Sequence, residues 1–297
     1  MRHVVSHFVR LRWYYVMVIP IDSRKLGEPV KRPRYYFVLV RRDVAVIKDR
    51  QQLADFVKAM LVKGHAPCSD AIVDRMLPNS HPSVRDYLAQ LAGVSKSRSS
   101  DKAKWKEHCD SYALSHGVSR SVGTSPGGVR GLTLPRTQAT WGLLTRVHKS
   151  PNLVADVSQN VQRAPFCVDG SAPTITPGGV IVVKQCGRIM VPVEKLLAHS
   201  FPLHKMSVPK DMTDKEAEDL GGNTMHLASV GLALLIGLAG VDWSLSAAQA
   251  GRKPAGIAPP TESAIYIDPA GSGIDADSGR KRRMPLPGGR HKASRRR

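Results

Sequence analysis

The chain has 297 residues, of which 42% are hydrophobic, so it can bury one good core and a second small one, and a wholly disordered chain is excluded. A net charge of +20 and a pI near 10.2 favour a polyanionic partner, with nucleic acid as the leading candidate. Much of this charge lies in residues 280–297, where it can be a solvated tail without specific contacts, but enough lies upstream to keep the inference.

Cysteine spacing and apolar runs limit the other classes of protein. The four cysteines are Cys68, Cys109, Cys167 and Cys186. They form no C-x-x-C pair and have no histidine at zinc-site spacing, so we predict no disulfide framework and no metal site, and a reducing compartment fits best. Arginines interrupt the apolar N-terminus, which argues against a secretory signal. The apolar run 227–241 has 15 residues, which is short for a membrane span and predicts a buried helix.

Residues 1–63 predict two strands and a helix. The runs 13–19 and 35–40 are aromatic and β-branched without alternation, which is typical of strands buried on both faces. After Asp49, apolar residues recur at helical spacing and predict an amphipathic helix that ends near Gly64. The members of that apolar face are Leu53, Phe56, Val57, Met60 and Leu61.

Residues 64–170 have a weaker pattern. Prolines and runs such as S-K-S-R-S-S-D-K at 95–102 predict loops around short elements, so we expect an irregular, basic insert. Most of its charges are expected to be solvated, but seven are candidates for phosphate contacts, and two tryptophans are available for stacking or packing. These residues are Lys102, Lys104, Lys106, Arg130, Arg136, Arg146 and Lys149, with Trp105 and Trp141.

Short regular elements return after residue 171. Residues 180–183 predict a strand and residues 192–199 a helix. Thr213 and Glu216 have the spacing of a capping box, which predicts a helix that the glycine pair 221–222 ends.

A final helix and a basic tail complete the pattern. The leucine-rich stripe of the helix consists of Leu227, Val230, Leu234, Leu235 and Leu238. Beyond Ser244 the chain is rich in Gly, Pro, Ala and Ser and closes with basic runs at 280–283 and 295–297. This tail has too little apolar surface to fold alone, so we predict disorder.

Three short segments carry a family resemblance. They are G-E-P-V-K-R-P-R at 27–34, G-R-I-M-V-P-V-E at 187–194 and L-G-G-N-T-M-H at 220–226. In this order they resemble the eighth, ninth and tenth motifs of the DNA cytosine-5 methyltransferases, and the resemblance covers residues 13–243 in outline. It implies an α/β fold with a partial Rossmann-like methyltransferase domain, DNA as the partner and S-adenosylmethionine as the cofactor.

The first segment is similar to the family pattern G-x-P-Q-x-R-x-R, in which both arginines reach into the DNA-binding cleft. The resemblance gives that role to Arg32 and Arg34. A guanidinium suits it because rigid paired donors can bind a base carbonyl and a neighbouring phosphate. Val30 stands where the family has glutamine, so one hydrogen-bonding side chain is lost. Taken alone, the segment is more often a solvated basic connection, and its position ahead of the other two favours the functional interpretation.

The second segment is similar to R-x-L-T-P-x-E, which supports the target-recognition region in the family. The resemblance gives this structural role to Arg188 and Glu194. Pro192 suits a first helical turn, and Glu194 complements the positive helix N-terminus. Val191 replaces the usual threonine, so the capping hydroxyl is missing, at a cost of roughly 1 kcal/mol. An ordinary short helix with an acidic start explains this segment nearly as well.

The third segment is similar to the family's turn that borders the S-adenosylmethionine pocket. The resemblance therefore assigns Gly222, Asn223, Thr224 and Met225 to cofactor binding. Glycine lets the backbone approach a ligand, Asn223 can satisfy backbone groups in a tight turn, and Thr224 can cap the helix that follows. We interpret His226 as a packing residue rather than a base. The alternative is a glycine hinge between two helices.

The family's catalytic cysteine and glycine-rich cofactor loop are not found in the sequence. Pro67-Cys68 matches the catalytic dipeptide, but it follows the eighth motif, lies in a predicted loop and has no Glu-Asn-Val after it, so we reject it as the nucleophile. Circular permutation would also require the glycine-rich loop downstream, where it is absent. We therefore expect the C-terminal portion of a methyltransferase, which is active if a missing N-terminal half is supplied.

The predictions divide the chain into four parts. Residues 1–63 are the last strands and a helix of the methyltransferase core, residues 64–170 the target-recognition insert, residues 171–245 the returning ninth and tenth motifs, and residues 246–297 the disordered basic tail. The tail favours a nuclear location, although such tails also occur as nucleic-acid tethers. Two alternatives stay open: a catalytically inactive DNA-binding relative, and an unrelated basic nucleic-acid-associated protein such as an organellar ribosome component.

Overall fold

A computed structural model describes residues 14–41, 44–47, 52–53, 55–56, 71–93, 104–119, 128–205, 209, 211–242 and 264–266. Within these ranges the protein is mixed α/β, with six α-helices and three small sheets. The helices are α1 (Pro82–Gly93), α2 (Lys104–Ser115), α3 (Pro135–Val147), α4 (Pro192–Ala198), α5 (Asp214–Asn223) and α6 (Leu227–Ala239). The strands are β1 (Tyr14–Asp22), β2 (Pro33–Arg41), β3 (Val46–Ile47), β4 (Val154–Asp156), β5 (Phe166–Cys167), β6 (Ile181–Val183), β7 (Arg188–Ile189), β8 (Val241–Asp242) and β9 (Ala264–Tyr266).

The first sheet confirms the two predicted N-terminal strands and extends both. Strands β1 and β2 are antiparallel, from the pair Tyr14 and Arg41 to the pair Asp22 and Pro33. Residues 16–19 are buried on both faces, as the lack of alternation predicted, but the same prediction is wrong for 35–40, where Tyr35 and Leu39 are exposed because β2 is the edge strand of the described sheet. Strand β9 pairs with β1 in parallel, although it lies in the stretch for which the sequence predicted disorder. The rest of residues 246–297 lies outside the described ranges.

The connection between β1 and β2 presents the segment 27–34. A 3₁₀-helix, Ser23–Leu26, follows β1, and the Asp22 carboxylate caps it by accepting a hydrogen bond from the Arg24 amide at 3.2 Å. Gly27 then takes a φ of 81°, which favours glycine because a Cβ is strained in the left-handed region. Beyond it, the backbone from Pro29 to Lys31 pairs with Ala172.

The insert is more regular than we predicted. Instead of loops around short elements, it contains α1, α2 and α3, which share one apolar core with β4, β6 and β7. The core side chains include Leu88, Tyr112, Trp141 and Leu144. The sequence pattern was weak because each helix is short and buries only part of its surface, so little amphipathic periodicity accumulates.

The four-stranded sheet joins the insert to the segment that follows it. Its order is β5-β4-β6-β7, and every neighbouring pair is antiparallel. Strands β4 and β5 precede position 170, while β6 and β7 follow it. The predicted strand at 180–183 and the predicted helix at 192–199 are confirmed as β6 and α4.

Helix α5 begins where the capping box predicted and ends later. The Thr213 hydroxyl accepts from the Glu216 amide at 3.2 Å, and the Glu216 carboxylate accepts from the Thr213 amide at 2.9 Å. The glycine pair 221–222 was predicted to end the helix, but the helix continues to Asn223. Both glycines are buried, because each packs against a neighbouring segment.

Helix α6 packs on β1 through three small residues and one isoleucine, opposite to our prediction that the leucine stripe is buried. Ser229, Ala233, Ile236 and Gly237 face inward, and Gly237 lies against Val38. Leu234 and Leu238 are 60% and 62% exposed. Small residues let the helix approach the sheet closely, so the bulky ones point outward.

The long predicted helix after Asp49 is described only in part. Leu53 and Phe56 are helical, and Val57, Met60 and Leu61 lie outside the described residues. No single helix in the described ranges is long and apolar enough to cross a membrane, although α5 and α6 together, bent by 41°, reach that length and composition.

Candidate functional site

The predicted eighth and tenth motifs are in direct contact. Arg32 donates from Nη2 to the carbonyl of Gly222 at 3.1 Å, across a sequence separation of 190 residues, and from Nη1 to the carbonyl of Ile175 at 2.9 Å. Gly222 also packs on Pro177, which lies two residues after Ile175. The segments 27–34 and 220–226 therefore form one surface, and residues 172–177 contact both.

Glu28 is the centre of a polar cluster that joins the segments 27–34 and 220–226 to the turn after α4. Its Oε2 accepts a hydrogen bond from the hydroxyl of Ser200 at 2.8 Å and lies 3.4 Å from His226 Nε2 and from an Arg75 nitrogen. Burial alone would raise the pKa of this carboxyl, but the hydrogen bonds from His226 and Ser200 outweigh it and lower the pKa below its ordinary value. Glu28 therefore stays ionised and links the loop after β1 to the ends of α4 and α5.

The cluster contains a serine, a histidine and a glutamate, but their geometry does not make a hydrolytic triad. In a triad, the acid binds one ring nitrogen of the histidine and the serine binds the other. Here Ser200 and Glu28 both lie at His226 Nε2, and His226 Nδ1 accepts from the Ser229 amide at 3.4 Å. The proton of a neutral ring is then on Nε2, so the ring cannot take a proton from Ser200 there. The cluster is a structural link.

The four residues assigned to cofactor binding differ in their access to solvent. Gly222 is buried, while Asn223 is exposed and Met225 is 54% exposed. The backbone that approaches Gly222 is that of Pro177, within the protein itself. Thr224 does not cap α6: its amide bonds Leu220 at the end of α5, and His226 is the N-cap of α6. Only Asn223 and Met225, with part of Thr224, are placed to touch a ligand.

Arg188 and Glu194 form a buried ion pair beneath the insert. Both side chains have no exposed surface, and two parallel hydrogen bonds of 2.7 and 2.8 Å join them. Arg188 also bonds Asn79 and the carbonyl of Leu77, and Glu194 accepts from the amides of Leu77 and Val191. The pair thereby ties the segment before α1 to the start of α4. The bond from the Val191 amide to the Glu194 carboxylate is the half of a capping box that does not need a hydroxyl at position 191.

Several insert side chains proposed for nucleic-acid contact are instead buried or hydrogen-bonded within the protein. Trp141 is 2% exposed and belongs to the core, so it packs and cannot stack on a base. Arg136 donates to the carbonyl of Ser158, and Arg146 to those of Gly142 and Ser119. Arg130 and Lys149 are exposed, while Lys102 lies outside the described residues.

The described cysteines are unsuited to nucleophilic attack. Burial raises the pKa of the Cys109 thiol to about 11, and it also raises the pKa values of Cys167 and Cys186. Cys68 lies outside the described residues. In the ranges that the structure covers, no group of three or more His, Cys, Asp or Glu side chains is arranged to hold a metal ion.

His199 is the most perturbed group near this surface. The ring has no exposed surface and no well-formed hydrogen bond at either nitrogen, and the Gly221 backbone beside it raises its pKa only in part. Burial, followed by the nearby charges of Arg32 and His226, lowers its pKa to about 3. The ring is therefore neutral at physiological pH and lies beside Arg32, whose Nε has no hydrogen-bond partner among the described residues.

The chain matches no protein-family model, and no curated protein is significantly similar to it. The interpretation of the site therefore depends on its geometry and on the motif resemblance.

Acid should weaken the fold through His199. The unfolded ring titrates near 6.5 and the folded one near 3, so below pH 6.5 the unfolded state binds more protons and stability is lost as the pH falls. We expect the free energy of unfolding, measured with urea, to fall by up to about 2 kcal/mol between pH 7 and pH 5. Glu28, with its lowered pKa, acts only at still lower pH.

The variant His199→Gln should flatten this pH dependence. His204→Gln, at an exposed position, is the matched control and should retain the wild-type slope. An unchanged slope in His199→Gln would show that another group causes the acid sensitivity.

Proposed function

We propose that the chain is the C-terminal portion of a DNA cytosine-5 methyltransferase, which holds DNA and forms one wall of an S-adenosylmethionine pocket. The observation that carries the proposal is the contact of Arg32 with Gly222, which joins the eighth and tenth motif segments into one surface. The packing of α6 on β1 supports it, because the helix after the tenth motif then lies against the strands that flank the eighth.

The exposed residues of this surface suit the proposed chemistry. In a complete enzyme, a cysteine attacks C6 of a flipped cytosine, and the cofactor supplies the methyl group to C5. Arg34 is partly exposed and has guanidinium donors for a phosphate or a base carbonyl. Asn223 and Met225 directly follow Gly222, which Arg32 contacts, and they offer a polar and an apolar exposed side chain to a ligand. The net charge of +20 supports DNA as the partner.

An exposed apolar helix face and an unpaired strand edge support a partial Rossmann-like core, in which further elements of the complete enzyme would cover both. Leu227, Leu234 and Leu238 lie on one exposed face of α6. Strand β2 has β1 on one side and no neighbour on the other among the described residues. A nine-residue edge strand of this kind is normally paired or protected. We further propose a nuclear location, from the basic residues 280–283 and 295–297.

A methyl-transfer assay with a DNA-binding assay tests the proposal. The full chain is incubated with DNA and S-adenosylmethionine labelled in the methyl group, with and without a polypeptide that carries the family's glycine-rich loop and Pro-Cys. We expect label in DNA only in the presence of that polypeptide. We also expect the chain alone to bind duplex DNA with an affinity that falls steeply between roughly 50 and 200 mM salt.

The two alternatives give different results. DNA binding without transfer in either case indicates a catalytically inactive relative. The absence of both binding and transfer contradicts the proposal and favours an unrelated basic protein.

A further inference from the structure

Arg32 and Arg34 are separated only by Pro33 in the motif, but they differ in their surroundings. Arg32 is 3% exposed, and two of its guanidinium nitrogens bond the carbonyls of Ile175 and Gly222. Burial, with a smaller contribution from the charge of Arg34, lowers its pKa to about 10, so it is still a cation at neutral pH. Both Nη nitrogens therefore bond the protein's own backbone, and Nε is buried without a partner among the described residues, so burial keeps this guanidinium from DNA.

Arg34 lies at the start of β2 and is partly exposed. Its one hydrogen bond to a described residue joins Nη1 to the carbonyl of Pro33, at 2.8 Å. A guanidinium has five N–H donors, so most of its binding capacity is available. Neither arginine forms a salt bridge with a carboxylate of the described residues. Within the described part of the chain the two like charges therefore interact without an ion-pair partner, and a bound anion would relieve their repulsion.

We propose that the two arginines have separate tasks: Arg34 binds a backbone phosphate of DNA, and Arg32 is a positioning residue that holds the turn at Gly222 to Met225 against β2. This inference rests on the proposed function and refines it, because the motif resemblance gave both side chains to the DNA cleft. The residue that binds DNA and the residue that orients the cofactor wall are then two positions apart in the sequence, Arg34 in β2 and Arg32 just before that strand.

DNA affinity as a function of salt tests the task of Arg34. It is measured for the full chain by fluorescence anisotropy with a labelled duplex. In Arg34→Gln, the slope of log affinity against log salt should become shallower by about 0.9, the value for one lost phosphate contact. Urea unfolding should match the wild type. Arg85→Gln is the charge-matched control, since Arg85 is exposed and paired with Asp86, and it should keep the wild-type slope.

The chemical shifts of the turn test the task of Arg32. In Arg32→Gln, we expect the wild-type salt slope but a loss of the shift changes that S-adenosylmethionine induces at the amides of Asn223 and Met225. Arg32→Lys should keep part of these changes, because an ammonium group can bond one of the two carbonyls. The lysine variant also serves as the test if the glutamine variant does not fold.

The outcomes separate this inference from the proposed function. If wild-type protein binds no DNA, the proposed function fails. If it binds DNA and Arg34→Gln keeps the full salt slope, or the folded Arg32 variants lose as much slope as Arg34→Gln, the division of tasks is wrong while the proposed function stands.

Discussion

The variant Glu194→Gln should lose about 3–5 kcal/mol of stability, the range found when one partner of a buried ion pair is removed. The cause is the Arg188 cation that stays behind. It has no exposed surface, and of its two bonds to carboxylate oxygens only one would remain, as a bond to a neutral amide oxygen, because the other position becomes an N–H₂ donor. One of the two amides that Glu194 accepts from, at Leu77 or Val191, would then face an N–H₂ group. Urea unfolding at pH 7 measures the loss.

The double variant Arg188→Met with Glu194→Leu isolates the contribution of the ion pair to stability from that of the groups around it. Because both charges are removed together, it should be less destabilised than the sum of the two single variants. Glu216→Gln is the control, since this exposed glutamate also accepts from a helix N-cap amide and glutamine can replace it there. Equal effects of Glu194→Gln and Glu216→Gln would contradict the structural role of the buried pair.

The variant Gly222→Ala should be destabilised by about 3 kcal/mol or more, at the upper end of overpacking effects. A Cβ at this position would overlap the nitrogen and the Cα of Pro177. These are backbone atoms, so no side-chain rotation can relieve the clash. Either the 172–177 segment or α5 has to move, and the bond from Arg32 to the Gly222 carbonyl would be distorted as well.

Gly231→Ala is the matched control in the next helix. A Cβ there meets nothing within 4 Å, and the position is exposed in α6. Alanine should stabilise a helix interior by about 0.8–1 kcal/mol relative to glycine. Opposite signs for the two alanine variants in thermal unfolding are the expected result. Stabilisation by both would mean that Gly222 does not pack against Pro177.

Local rules predicted the elements whose signals lie within a few residues. The unbroken apolar runs gave β1 and β2, and the reciprocal side-chain spacing at Thr213 and Glu216 gave the start of α5. Helix α4 followed from a proline and an acidic residue in the first turn. In each case the short-range pattern and the tertiary contacts favour the same conformation.

The errors arose where long-range packing decides the structure. The orientation of α6 depends on how closely Gly237 approaches Val38, and leucine periodicity carries no information about that contact. Gly221 and Gly222 resemble helix terminators, but the helix continues through them. They are glycines because neighbouring segments occupy the space where a side chain would lie. The cluster of Glu28, Ser200 and His226 was also missed, since its members lie up to 198 positions apart, by their residue numbers in the sequence.

The most direct test of the central claim is an NMR titration of the ¹⁵N-labelled full chain with S-adenosylmethionine in the presence of duplex DNA. Amide shifts report weak binding, so one wall of a pocket suffices for a response. The proposed function predicts that the largest shift changes occur at residues 222–225 and at the side-chain amide of Asn223. Changes that are absent there, or that are confined to other parts of the chain, would contradict a cofactor wall at this turn.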